Sequence, residues 1–340
     1  MTPSLIDQQN IDSSSKATLR TISCSELQNE DPRALEHLLL AATEDGIFYL
    51  DFDQGEQASL DQSIQDVDRL SHAIFDMPIR EKLALDIDTM GSLKLNGYKP
   101  VGRNKGGIKG HRDGFESYAI SQDTIRESPD RVVQHPPVVA EYRESLAQLT
   151  SRCLDTTHLI FKALSRAFGL SPADSFESHH DPASSPLDLL RLLRYPDALG
   201  AAAFGIPQLA HADMGSLTFL FTSSPGLQIL PKGAAADQWR DVLPVPGRAI
   251  VNFGDAVKIL SGGRVESVVH RVITMPAGEQ QQQQVDVRDR YSFAFLVRPA
   301  PSAHITALPG LQQDEAGAEA EPPMTCEEWV SMRFSQLRAK

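Results

Sequence analysis

The sequence predicts a mainly β core of the sandwich or barrel type, buttressed by a helical N-terminal half and finished by a C-terminal helix. Three observations predict it. From residue 187 onward, short apolar runs alternate with Gly and Pro turns, at 189–195, 216–222, 227–230, 248–253, 265–274 and 291–298. That spacing suits a closed antiparallel architecture better than parallel α/β units. Before residue 187 the apolar positions recur every three or four residues, the period of helices. No segment of the chain repeats another.

Each element follows from local chemistry. Residues 1–18 are polar and are expected to be disordered. Asp31 and Pro32 supply the cap and first turn of a helix whose apolar face is Leu35, Leu38, Leu39 and Ala42, with Gly46 as its stop. Residues 47–50 (IFYL) read as a buried strand. Leu60, Ile64, Val67, Leu70 and Ile74 mark a second helix, which ends before Pro78. Residues 85–115, rich in Gly and Lys, read as loop. A long helix over 138–168 carries Val139, Tyr142, Leu146, Leu149, Cys153, Ile160 and Leu164 on one face and ends at Gly169. Propensity alone would not hold such a helix in water, so it needs a large partner surface. Residues 277–285 (AGEQQQQQV) read as an elongated hairpin tip. A last helix near 325–337 carries Trp329, Met332 and Phe334. The expected organisation is a tail (1–18), a helical and strand region (19–186), a β core (187–300) and a C-terminal tail with helix (301–340), all one integrated unit.

A chain of 340 residues can bury a large core. Its net charge of −13 offers no counterion-release gain on nucleic acid, so a nucleic-acid substrate is disfavoured. No apolar window is long enough to span a bilayer, and the N-terminus lacks a signal pattern. Cys24, Cys153 and Cys326 are odd in number and widely spaced, as reduced thiols of a cytoplasmic protein would be. The run 99–112 carries Lys99, Arg103, Lys105, Lys109 and Arg112 without an acid. Such runs are usually solvated loops; the functional alternative is a cationic rim that receives an anionic substrate. Nothing in the sequence specifies an oligomeric state.

The chemistry sits in four ordered motifs: HADMGS at 211–216, NFGD at 252–255, ESVVHRV at 266–272 and RYS at 290–292. Alone, an HxD triplet is common by chance and a lone strand histidine is usually packed or exposed. Together they say more. Residues two apart on a strand share a face, so His211 and Asp213 can converge on one ion. His270 lies in a β-rich run that can bring a third ligand. Two imidazoles and one carboxylate on one face of an ion leave the opposite positions open, the arrangement of non-haem Fe(II) oxygenases. Arg290 and Ser292 share a face in the same way and suit a carboxylate that must be held in place.

In these residues the chain resembles the isopenicillin-N-synthase-like branch of the Fe(II)/2-oxoglutarate dioxygenases, over roughly residues 19–300. The resemblance implies a distorted double-stranded β-helix (jelly roll) with iron on His211, Asp213 and His270. It also implies that the distal carboxylate of 2-oxoglutarate rests on Arg290, Ser292 and Tyr195, the last in the run LLRLLRYP. The implied reaction uses O2, releases succinate and CO2, and hydroxylates, desaturates or rearranges a small-molecule substrate. Members of this size mostly tailor small molecules, which suggests natural-product biosynthesis. The pocket mouth is expected around residues 98–112, near Phe204 and Leu230, and at Trp329 and Phe334. The gap from His270 to Arg290 is longer than the family pattern, and the Gln-rich insert accounts for it. Leu193 stands where many plant members have asparagine. His179, His180 and Asp181 are expected to be solvated, Asp255 to fix a turn, and Arg271 to form a structural ion pair. Two alternatives stay open: an Fe(II) oxidase of the isopenicillin N synthase type that needs no 2-oxoglutarate, and a non-catalytic ligand-binding relative.

Overall fold

The computed structural model describes residues 16–52, 55, 57–104, 112–127, 133–181, 187–196, 208–273, 289–312 and 323–339. Most of the 1–18 tail, Lys105, Lys109, Phe204 and the Gln-rich insert lie outside them. The strands in chain order are β1 Thr21–Ser23, β2 Ile47–Asp51, β3 Gly97–Lys99, β4 Glu116–Ser121, β5 Leu189–Tyr195 and β6 Gln208–His211. They continue with β7 Leu217–Phe221, β8 Leu227–Leu230, β9 Arg240–Val242, β10 Arg248–Phe253, β11 Val269–Val272 and β12 Arg290–Val297. They form a large sheet in the order β1-β2-β10-β7-β12-β5-β4-β3 and a small one in the order β6-β11-β8-β9. Every pairing is antiparallel except β1 with β2.

Strand periodicity sorts the large sheet's side chains into two faces. Leu190, Leu192, Phe219, Val251, Phe293 and Phe295 join the core cluster that includes the long helices. The helix Arg143–Ala167 buries Leu146, Leu149, Cys153, Ile160 and Leu164 there, against Gln57–Phe75. The opposite face carries Ile47, Tyr49 and Ile250, which pack on Leu227, Ile229 and Val242 of the small sheet. Farther along that inner face, Leu193, Tyr195, Ala294 and Leu296 cluster with Trp329 and Val330 of the C-terminal helix Cys326–Ala339. The functional side chains lie between the sheets, on this inner face.

Local expectations hold in part. Asp31 accepts from the N–H groups of Arg33 and Ala34 and caps Pro32–Leu40, and Gly46 ends the following π turn in the left-handed region. The helix expected over 138–168 is two, Pro137–Glu141 and Arg143–Ala167, divided at Tyr142. The strand expected over 265–274 is only Val269–Val272, because the Glu266 N–H leaves the ladder to donate to Ala42 O. Residues 85–115 are not all loop, since β3 pairs with β4 there. All three cysteines are buried, and none of them forms a disulfide. Among the described residues no helix is long and apolar enough to cross a membrane.

Candidate metal centre and anchor

The small sheet brings the two histidines together. Strand β6 ends at His211, whose register partner on β11 is His270, and their rings lie 4.3 Å apart. Asp213 lies just beyond the strand's end, so a loop rather than strand periodicity aims it. Its Oδ1 is 3.6 Å from His211 Nε2 and 3.9 Å from His270 Nε2. Two ligands each about 2.1 Å from a first-row ion can be no more than about 4.2 Å apart, so each contact fits one ion. Each histidine directs its other nitrogen, Nδ1, to a carbonyl, His211 to Leu209 O at 2.7 Å and His270 to Val268 O at 3.3 Å. A carbonyl only accepts, so Nδ1 carries the proton and Nε2 keeps the lone pair a metal needs. Among the described residues these three are the one His/Cys/Asp/Glu group close enough to hold a metal.

The carboxylate is aimed by its neighbours. Asp213 Oδ2 accepts from Thr218 Oγ1 at 2.7 Å and Asn252 Nδ2 at 2.9 Å, which leaves Oδ1 toward the histidines. Burial would raise its pKa, but His270, His211 and Asn252 outweigh burial and hold it well below the usual carboxylate range. Burial and His211 push His270 down to about 4, so it stays neutral near pH 7. Neither Thr218 nor Asn252 is among the site residues the sequence predicts. Asn252 carries a signal nonetheless, as the polar residue that opens NFGD at the end of an apolar strand.

Backbone contacts explain the glycines of HADMGS and NFGD. The N–H groups of Asp255, Ala256 and Gly254 donate to the carbonyls of Asp213, Gly215 and Ser216, stitching the ligand loop to the end of β10. A Cβ on Gly254 would sit 2.3 Å from Gly215 O and 2.7 Å from Asp213 O. Gly254→Ala must therefore displace the ligand loop. The expected result is a stability loss of about 1–3 kcal/mol from overpacking and metal affinity lower by about 10–100-fold. Thermal melting and Fe(II) titration of the variant check it.

His180 stabilises the same loop, contrary to the solvated reading. It is buried, donates from Nδ1 to Phe176 O at 2.6 Å and accepts at Nε2 from Ser216 Oγ at 2.6 Å. Burial pushes its pKa down to about 3, so it is a neutral strut. Asp255 opens the helix Asp255–Leu260 and binds Ser267 and Arg333, away from the triad. Arg271 lies over the Trp239 ring and donates to Gln228, which donates in turn to Asp241.

Across the cavity β12 pairs with β5, placing Arg290 opposite Tyr195 and Ser292 opposite Leu193. Arg290 donates from Nε to Pro225 O at 2.9 Å and from Nη1 to Ser292 Oγ at 3.1 Å. Its Nη2 is buried without a partner. The guanidinium stands 4.9 Å over the Tyr195 ring. Burial pushes the Tyr195 hydroxyl up to about 12, so it remains a donor, here to Gln208 Oε1 at 2.6 Å. Gln208 also reaches His211 Nε2 at 3.3 Å and so links anchor to triad. Leu193 is an apolar wall of the cavity.

Three expectations about the rim are corrected. Lys99 is buried and paired with Asp113, and Arg103 pairs with Asp86 and Asp88, so neither is a solvated cation. The cavity wall takes Leu227 rather than Leu230. Trp329 and Phe334 belong to the apolar cluster of Tyr195 and Leu193 but are not among the residues that line the cavity. One lining cation, Arg191, is absent from the sequence-predicted site. It lies four residues before Tyr195 on the same face of β5, and that spacing on a strand is the signal that marks it.

Comparison with known proteins gives the family. Residues 188–299 match the model of the 2OG-Fe(II) oxygenase superfamily, a span that holds all six expected site residues. The chain is 30% identical over 303 residues to a 2-oxoglutarate-dependent dioxygenase, FG08081, of Gibberella zeae, covering 89% of this chain and 85% of that protein. It is 32% identical over 295 residues to the 2-oxoglutarate-dependent dioxygenase frbH of a Dothideomycetidae species, covering 86% of each. In fold it is similar to a full-length Neurospora crassa protein solved in complex with alpha-KG and thymine, with a TM-score of 0.72 and 21% identity, over 96% of this chain and 98% of that one.

Proposed function

The chain belongs to the 2-oxoglutarate–Fe(II) oxygenases and is a 2-oxoglutarate-dependent dioxygenase, and from that premise we propose how its own residues divide the work. His211, Asp213 and His270 hold iron; Arg290, Ser292 and Tyr195 hold the distal carboxylate of 2-oxoglutarate. One observation carries this reading: a cluster of two histidines and a charged Asp shares one cavity with a guanidinium whose Nη2 is buried and unpaired. A buried cation with an idle donor costs free energy until an anion reaches it, and a carboxylate is the matching acceptor.

When bound, iron with 2-oxoglutarate and O2 supplies an oxidation in which 2-oxoglutarate loses CO2 to become succinate and a substrate C–H bond is oxidised. The protein's part is positional. Thr218 and Asn252 fix Asp213, the carbonyls of Leu209 and Val268 fix the histidine tautomers, and apolar walls such as Leu193 and Leu220 exclude water. The substrate is a small molecule, a reading supported by thymine in the Neurospora relative, and hydroxylation is the default outcome. The fungal relatives support a place in natural-product biosynthesis.

Anaerobic loading with Fe(II) followed by 2-oxoglutarate tests the assignment. A weak visible charge-transfer band, as a bidentate chelate gives, is the expected result. Bound iron without a band would instead favour an oxidase that needs no 2-oxoglutarate.

A further inference from the structure

Arg191 has no task in the site described so far. It projects from β5 into the cavity between Ala119 of β4 and Ala294 of β12, its register partners, so two small side chains leave it room on the sheet. The residue is half-buried, and its Nε is buried without a hydrogen-bond partner. Like every arginine it stays charged and presents a planar fork of donors. A buried donor that nothing answers is costly, and the apolar neighbours do not repay that cost.

Three structural roles can be weighed against it. Arg191 is within electrostatic reach of Asp213, yet Asp213 already receives Thr218 and Asn252 on one oxygen and faces the histidines with the other. Lys99 and Asp113 are paired with each other. The co-substrate does not need it either. The charged side chains lining the cavity, among the described residues, are Arg191, Asp213 and Arg290. Fe(II), Asp213, the two carboxylates of 2-oxoglutarate and Arg290 together balance. Arg191 is left as a net positive charge facing the space beside the triad.

We propose that Arg191 is the specificity-determining residue for the primary substrate, and that this substrate is a small organic acid whose carboxylate docks on the Arg191 guanidinium. The inference rests on the dioxygenase reading for the identity of the other site components. It moves the anionic-substrate expectation from the basic run 99–112 to a single side chain inside the cavity. Arg191 lies about 13 Å along β5 from Tyr195, so an acid bound there and the co-substrate's distal carboxylate occupy separate cations.

The test uses the full chain with Fe(II) and 2-oxoglutarate under anaerobic conditions, in wild type, Arg191→Gln, Arg191→Lys and Arg290→Gln. The probes are benzoate, phenylacetate, indole-3-acetate and hexanoate, each beside its primary amide. Binding is read from the change in the charge-transfer band and from the melting temperature. Wild type should prefer at least one acid over its amide by about 10-fold or more, because a site built for a charged partner rejects the analogue lacking it. Arg191→Gln should erase that preference, Arg191→Lys should keep part of it, and neither should change 2-oxoglutarate or Fe(II) affinity more than about twofold. Without any ligand, Arg191→Gln should melt higher than wild type, since it removes an unanswered charge.

Several results overturn the proposal. One is a wild type with no acid preference; another is a preference that survives in Arg191→Gln. A fall in 2-oxoglutarate affinity matching Arg290→Gln would place Arg191 in the co-substrate site, and a lower melting temperature would give it a structural partner. If no form shows the band, the co-substrate reading fails, and the melting comparisons still decide on Arg191.

Discussion

Asp213→Ala, His211→Ala and His270→Ala each lower Fe(II) affinity by more than about 100-fold and reduce succinate formation to background. Groups that merely orient a metal ligand already cost about 10–100-fold when removed, so loss of the ligand itself exceeds that range. Asp213 is the centre of the expectation because it is the triad's one carboxylate, within 3.9 Å of both histidines. Removing it also strands the Thr218 hydroxyl and the Asn252 amide, which then point at nothing. His270→Ala is the cleaner variant, since its ring makes one long backbone hydrogen bond at 3.3 Å and it lies on β11, outside the loop that carries Asp213. Metal titration followed by far-UV circular dichroism separates lost binding from lost fold. Retained Fe(II) affinity in all three variants would sink the triad.

Arg290→Gln raises the 2-oxoglutarate concentration needed for half-occupancy by about 100-fold, with Fe(II) affinity unchanged. Truncating one partner of a buried charge pair costs about 2–5 kcal/mol, mostly because the other charge stays buried and alone. In the empty protein the same change is mild, because Arg290 spends one donor on Pro225 O and one on Ser292 while Nη2 is idle. Titration of the charge-transfer band measures the shift. A loss under about threefold would mean that the distal carboxylate rests elsewhere.

The site is more legible in the sequence than the scaffold around it. Ligand chemistry needs fixed residue types at fixed spacing, so His211, Asp213, His270, Arg290 and Ser292 stand out once their motifs are read together and in order. Strands β5, β8 and β10 are legible for a related reason: their apolar runs are bounded by turn residues. Strand β4 hides Glu116 among its buried residues, and Lys82 and Arg194, remote in sequence, neutralise it. A polar residue that is paired at long range looks like loop in one dimension. Lys99, His180 and Arg191 deceive in the same way, since burial of a polar group depends on partners, or on their lack, that composition does not display. Strand β6 is short and partly exposed, so its only signal is the histidine that ends it.

The order of strands in the large sheet also sets a clock. Strand β2 lies between β1, its near neighbour in sequence, and β10, with Tyr49 opposite Ile250, more than half the chain later. During synthesis the N-terminal half therefore waits with an open edge at β2 until residue 253 has emerged, and the anchor strand β12 arrives later still. Such distant pairings close slowly, because the loop entropy is lost before any contact compensates it. An emerging chain thus holds no complete ion cage, and iron capture belongs to the last moments of folding. Ribosome-stalled chains ending before β11 should be the aggregation-prone form of this protein, and those extending past β12 the first to retain iron.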